Sequence, residues 1–369
     1  MPSIKSGLAP TSLAEVGSSA AASVGVPGYT DVLNLGDLQH VVICLIDGLG
    51  WRSLQKFGAH APALIALAGS PLHSVFPTTT PTALGSLGTG QLPGAHGLVG
   101  ATFFLPETRQ MLAPLHWKKD PLPVMVQPET TVFERVARHG VRMTSVAPAK
   151  YEFSGLTAAA LRGGSYQVAE DTAQRVAAVQ AAVRGASKSF TYVYWFELDR
   201  IGHKSGVGSA PWLAGLGRVN ALVDNLLQQL PADSAMIVTA DHGMVNCESA
   251  GHVSIERHQE LSADVVSVAG EPRARHLYVN PGCAEAVATR WSQYLGAKAQ
   301  IFTKEQIIES GWYGPTDPDI ADRIGDVVAV AEGTTMFTSL VDVRSSALLG
   351  QHGALTADEL EIPGLIVRT

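Results

Sequence analysis

Carboxylate and imidazole side chains recur in this sequence at spacings that could hold a metal ion. Asp47 closes the apolar run in HVVICLIDGLG, and Asp199 and His203 stand four residues apart in ELDRIGHKSG. Asp241 and His242 are adjacent in SAMIVTADHG, and His352 lies in GQHGALTADEL. Carboxylate oxygen and imidazole nitrogen together suit zinc, and also manganese or iron. Each residue alone has a plainer reading. An aspartate after a strand commonly forms a turn or caps a helix, D-x-x-x-H arises readily by chance, and an isolated histidine is commonly a surface or hydrogen-bonded one.

What links them is the segments they follow. Val41–Ile46 is a continuous apolar run, as in a strand buried on both faces of a parallel sheet. SFTYVYWFELD is rich in β-branched and aromatic residues and ends at Asp199, and SAMIVTADHG is another buried strand with a polar end. Between them WLAGLGRVNALVDNLLQQL has apolar residues at helical spacing. A further helix, ETTVFERVARHG, with Thr130 or Thr131 as cap and Gly140 as terminator, precedes the strand VRMTSVA. This alternation predicts an α/β fold, doubly wound, with a mostly parallel central sheet flanked by helices. Ligands in such sheets bind beyond the carboxyl ends of the strands, so Asp47, Asp199 and Asp241 should share one edge. Residues 1–38 read as a loosely structured lead-in and 39–369 as a single catalytic domain. The stretch from about 247 to 344, rich in turn formers, reads as a smaller peripheral insert.

The segment FPTTTPTALGSLGTG places three hydroxyls before a proline. Pro81 suits the first position of a helix, which makes Thr80 the N-cap. That cap alone contributes about 1 kcal/mol. The alternative is that Thr80 is a nucleophile. A threonine hydroxyl is too weakly acidic to attack unaided, and a base or metal must activate it. The free N–H groups of a helix N-terminus favour an anion, phosphate above all.

The chain's net charge of −7 argues against a nucleic-acid polymer as partner. Cys44, Cys247 and Cys283 are too few and too scattered for a disulfide framework. Glu15 and several serines interrupt any signal-like apolar stretch near the N-terminus, and no membrane span is expected. A cytoplasmic protein with no membrane partner is the expectation; oligomeric state is left open. His40, His60, His73, His116, His139 and His276 have no carboxylate at a telling spacing, while His252 and His258 could line a pocket.

Taken in order, LIDGLGW, FPTTTPTALGSLGTGQLPGAHGLVG, ELDRIGHKSG, TADHGM and GQHG resemble the alkaline phosphatase superfamily, specifically its nucleotide pyrophosphatase/phosphodiesterase branch. The matching segments span residues 41 to 353. The resemblance implies Thr80 as nucleophile and two divalent ions, zinc first and manganese second. Asp199, His203 and His352 would hold one ion, and Asp47, Asp241 and His242 the other, with Thr80 bridging towards it. His96 matches a residue that is not a ligand. A phospho-threonine would form and water would displace it, hydrolysing a small phosphoester or nucleotide. A phosphomonoesterase or a phosphonate hydrolase on the same site is the alternative, and a non-catalytic binding protein with a degenerate site is another. The family's phosphoryl-binding Asn is replaced in HGLVGATFF, where Ala101 and Thr102 stand; the donor that takes its place is left open, with Thr102 as a candidate. Lys118, Lys119, Lys150 and Arg162 are candidate cations for a charged substrate.

Overall fold

Segments without polar alternation become strands buried on both faces, and they come first in the architecture. All residues of β1 (His40–Ile46) are buried. The structure, a computed structural model, describes residues 11–369. With β2 (Gly69–His73), β3 (Arg142–Ala147), β4 (Ser165–Val168), β5 (Ser189–Trp195), β6 (Ser234–Thr239) and the C-terminal strand Glu361–Arg368, β1 forms a seven-stranded sheet. Its order is β2, C-terminal strand, β6, β1, β5, β3, β4. β1 pairs parallel with β5 and β6, and β3 pairs parallel with β4 and β5. The C-terminal strand alone runs antiparallel, against β2 and β6. This is the mostly parallel α/β sheet that the sequence predicts.

Helices cover both faces. They include α1 (Leu13–Ser23), α2 (Thr80–Thr89), α3 (Thr172–Arg184), α4 (Glu197–Ser205) and α5 (Ala210–Leu227). α5 buries Trp212, Leu216, Val219, Val223 and Leu226, the stripe that its helical spacing predicts. Thr131 caps the helix Val132–Arg138 in a capping box with Glu134, and Gly140 follows its end at φ 75°.

The lead-in read over 1–38 is different where it is described. Residues 13–23 form α1, with Leu13, Val16, Ala20 and Ala21 buried; residues 1–10 lie outside the described residues. The small residues that weaken the sequence signal are those that let α1 approach α2. A Cβ at Gly17 would stand 2.4 Å from the Leu87 carbonyl oxygen.

A second sheet lies within 247–344. β7 (Val265–Glu271), β8 (Ala274–Val279), β9 (Ala299–Thr303) and β10 (Val327–Ala331) pair antiparallel in the order β7, β8, β10, β9. The β7–β8 turn carries Arg273, which is fully buried. Its Nε and Nη2 both donate to the Glu359 carboxylate at 2.7 Å. Glu359 also accepts from the N–H of Ala354 at 3.0 Å, and its carbonyl accepts from the N–H of Gly243 at 2.7 Å. One ion pair therefore ties the second sheet to the segments following His242 and His352. No helix among the described residues is long and apolar enough to cross a membrane.

Removing one partner of a buried pair leaves an uncompensated charge, which costs about 3–5 kcal/mol. Glu359→Ala should therefore lower the urea unfolding midpoint markedly. A midpoint unchanged from the parent protein would show that the pair does not hold the two sheets together.

Candidate active site

The carboxyl ends of three neighbouring strands, β6, β1 and β5, deliver the acidic residues. Asp47 directly follows β1, and Asp241 stands two residues beyond β6. Asp199 does not end its strand, as the sequence suggested. β5 stops at Trp195, and Asp199 lies in the first turn of α4. His203 is one turn further along the same face, with its Nε2 3.3 Å from Asp199 Oδ1. Gly48 makes the close approach possible. Its φ is +76°, and a Cβ there would sit 2.9 Å from Asp199 Cα.

Asp47 and Asp241 are each anchored by one oxygen and expose the other to the site. Tyr194 donates its hydroxyl to Asp47 Oδ2, leaving Oδ1 buried and unpartnered. The N–H groups of Gly48 and His242 donate to Asp241 Oδ1 at 3.1 and 3.0 Å, leaving Oδ2 bare. Asp199 Oδ1 is likewise buried without a hydrogen bond. Burial, then the neighbouring Asp241 and Asp199, pushes Asp47 well above the usual carboxylate range. Burial raises Asp241 too, and pushes Asp199 up to about 6.

The histidines have a common arrangement. Nδ1 of His203 bonds the Gly350 carbonyl at 2.7 Å, that of His242 the Gly243 carbonyl at 2.9 Å, and that of His352 the Thr78 carbonyl at 2.8 Å. A carbonyl only accepts, so each Nδ1 carries the proton and each Nε2 offers a lone pair. His242 Nε2 stands 3.4 Å from Asp241 Oδ2 and 3.6 Å from Asp47 Oδ1. His352 stacks on His242 with centroids 3.6 Å apart and places Nε2 4.0 Å from Asp199 Oδ1. Burial holds His242 down at about 3 and His352 well below its ordinary value, so both are neutral. Ligand atoms of Asp47, Asp241 and His242 converge within 4.8 Å of one another, as do those of Asp199, His242 and His352. Bare buried carboxylate oxygens beside imidazole lone pairs are a donor set that fits divalent cations.

The three threonines divide their work. Thr78 donates to the Ala354 carbonyl at 2.8 Å and accepts from the N–H of Gly353 at 3.0 Å. Thr79, not Thr80, is the N-cap of α2, and Pro81 is the second helical residue rather than the first. Thr80 is consequently released from capping. Its hydroxyl donates to His242 Nε2 at 3.3 Å, and the residue is buried.

Other candidates lie elsewhere. His96 bonds Ser86 Oγ at 2.9 Å and the N–H of Leu98 at 3.2 Å, beneath α2. Thr102 donates to the Gly270 carbonyl at 3.0 Å, so its hydroxyl proton is already committed. Arg162 is engaged with the Ala159 and Gln127 carbonyls and with Glu134. His252 bonds the Cys247 carbonyl and His258 the Tyr294 hydroxyl. Lys150 lines the cavity beside Asp47 and Thr80, about 1050 Å³ in volume. Tyr151, Tyr194 and Phe196 form its aromatic wall, with Tyr151 centroids 5.5 and 5.7 Å from the other two. Sequence reasoning missed this wall. The signal was the period of two in Tyr192, Tyr194 and Phe196, which sends alternate side chains to one face.

The sequence pattern of the type I phosphodiesterase/nucleotide pyrophosphatase family matches residues 41–355. No curated protein matches the sequence. Among solved structures, murine ectonucleotide pyrophosphatase/phosphodiesterase 5 superposes with a TM-score of 0.72 at 20% identity, covering 89% of this chain and 88% of that one. An inactive threonine-to-alanine variant of it, in complex with AMP, gives 0.71 at 20% identity over 88% and 87%. Phosphonoacetate hydrolase from Sinorhizobium meliloti, in complex with phosphonoformate, gives 0.71 at 19% identity over 90% of both chains.

Carboxylates whose pKa values are raised bind a cation in competition with protons. Zinc affinity of chelator-treated protein should therefore fall as pH drops through about 6, the value for Asp199. The loss should approach about tenfold per pH unit for each proton displaced. Calorimetric titration in buffers of different ionisation enthalpy reads both affinity and proton release. A flat affinity with no proton release would contradict the cluster's proposed state.

Proposed function

The chain belongs to the type I phosphodiesterase/nucleotide pyrophosphatase family and is a hydrolase of phosphoric ester bonds; from that premise we propose that it cleaves phosphodiester or pyrophosphate bonds through a covalent phospho-threonine on Thr80. Two divalent ions serve the reaction, zinc in the first instance and manganese as the alternative. Asp199, His203 and His352 would hold one, and Asp47, Asp241 and His242 the other, beside the Thr80 hydroxyl's partner His242. The ions supply Lewis acidity, lowering the pKa of the threonine hydroxyl and of water and offsetting charge on the leaving oxygen.

The observation that carries this reading is the placement of Thr80. Its hydroxyl performs no capping and points at His242 Nε2 from the N-terminus of a ten-residue helix. The first-turn N–H of Thr80 has no intrahelical acceptor and is suited to a nonbridging phosphoryl oxygen. Thr80 Oγ1 attacks phosphorus in line and the leaving oxygen departs. Water then displaces Thr80 from the opposite side, so configuration at phosphorus is retained overall. Tyr194 keeps Asp47 turned toward the cluster throughout. The inactive threonine-to-alanine variant among the structural neighbours supports the same role.

A diester is favoured over a monoester by the cavity. Its volume leaves room for a second organic substituent, and Tyr151, Leu156 and Phe196 offer apolar surface to bury it. Lys150, in the same cavity, supports a second reading, a phosphonate hydrolase whose substrate carries an additional anionic group. The substrate is a small phosphoester or nucleotide, and the cytoplasm is the proposed location, in keeping with free thiols at Cys44, Cys247 and Cys283.

Thr80→Ala should lower turnover of a chromogenic phosphodiester by at least about a thousandfold while bound metal is retained. Thr80→Ser should keep part of the activity. Parallel assays with the monoester and with phosphonoacetate, each with and without chelator, identify the preferred bond. Undiminished turnover by Thr80→Ala would overturn the nucleophile assignment, and chelator-insensitive turnover would overturn the metal assignment.

A further inference from the structure

The catalytic cavity continues into a second groove that none of the proposed chemistry uses. This groove, about 1030 Å³, shares Leu115, Lys150 and Ser154 with the catalytic cavity and extends from them to Lys118, Lys119 and Phe153. Lys150 thus stands at the junction, with its ammonium 3.6 Å from the centroid of the Phe196 ring. Asp120 also lines the groove. Among the described residues, none of the ammonium groups of Lys118, Lys119 and Lys150 has a carboxylate within 4.0 Å. The groove's apolar surface is exposed as well. Leu115 is 55% and Phe153 76% accessible, unusually high for large hydrophobic side chains.

Resting on the hydrolase reading above, we propose that this groove is a distal subsite for the second substituent on phosphorus. The substituent has an apolar body and ends in its own negative charge. The argument is one of complementarity along a continuous path. The reacting phosphoryl group sits against Thr80, the apolar body crosses Leu115 and Phe153, and the terminal anion meets Lys118 and Lys119. Unpaired ammonium groups beside apolar surface favour an anion whose linker is itself desolvated. A neutral substituent would gain the apolar contacts alone.

The test is a matched pair of substrates with one leaving group, p-nitrophenyl octyl phosphate and p-nitrophenyl ω-carboxyoctyl phosphate. The double substitution Lys118→Met, Lys119→Met removes both charges at exposed positions and keeps an unbranched side chain one atom shorter. It should raise KM for the carboxylated substrate about tenfold, equivalent to about 1.4 kcal/mol. It should leave kcat, and both constants for the octyl substrate, unchanged. Equal effects on the two substrates, or none on either, would overturn the subsite. Calorimetric binding of 9-phosphononanoate, which needs no turnover, separates this proposal from the one it rests on. Binding that the substitution weakens, without hydrolysis of either ester, would refute the phosphodiesterase reading and keep the subsite. Hydrolysis with binding that the substitution leaves unchanged would refute the subsite alone. Loss of co-sedimentation with anionic phospholipid vesicles, with no change for the carboxylated substrate, would assign the lysines to a lipid surface and overturn the proposal.

Discussion

Three aspartates converge in a region largely shut off from water, and their mutual repulsion is the constraint around which the rest of the structure is arranged. Burial already disfavours each charge, and for Asp47 the adjacent Asp241 and Asp199 add to that cost. A chain under selection for stability alone would not bring together Asp47 and Asp241, from adjoining strand ends, and Asp199, from the first turn of α4. The arrangement persists because Asp47 and Asp241 each have one oxygen bonded, to Tyr194 and to backbone N–H groups respectively. The bare oxygens suit a cation, whose charge would reverse the local electrostatics. Cations bound there would offset the three carboxylates and turn a site that repels an anion into one that attracts it.

Positioning this cluster requires partners that no ligand motif contains. The Nδ1 bonds of His203, His242 and His352 all end on backbone carbonyls; that of His242 is local, to Gly243, but the orientation of His203 and His352 depends on how distant loops meet. His352 rests on Thr78, and His203 rests on Gly350. Thr78 and Thr80 belong to one turn, which therefore aims the nucleophile candidate and seats a ligand candidate together. The Arg273–Glu359 pair holds the same loops from the other side, reaching from the second sheet. A displacement of that sheet would be felt at His242 through the bond from the Gly243 N–H to Glu359.

The parts legible in the sequence were those that depend on a single strand or helix. Apolar runs located β1 and β6, aromatic and β-branched content located β5, and the rule for parallel sheets put Asp47, Asp199 and Asp241 near one edge. Pro81 signalled a helix start but misplaced the cap by one residue, because proline is accepted at the second helical position as well as the first. That single residue decides whether Thr80 caps the helix or faces His242. The α1 helix was hidden because its alanines, serines and glycine resemble a linker in composition, although the same small side chains permit its contact with α2. Arg273 with Glu359 was beyond reach, since pairing across 86 residues leaves no periodic trace.

The aromatic wall lines one cavity together with Asp47 and Lys150. Tyr192 and Tyr194 lie on β5 and stack at 6.3 Å, so the wall is an extension of the strand that leads into α4 and Asp199. Tyr194 binds Asp47 and also meets Tyr151, whose own segment includes Lys150. One strand face therefore links the acidic end of the cavity to the cationic junction at Lys150. The inner end has a donor set whose cations would attract phosphoryl oxygen; the outer end has its own positive charge at Lys150. A substrate with anionic groups at both ends would be oriented by this pattern before any bond changes, because reversing it would require both anions to find equivalent partners, and only the inner end holds Thr80.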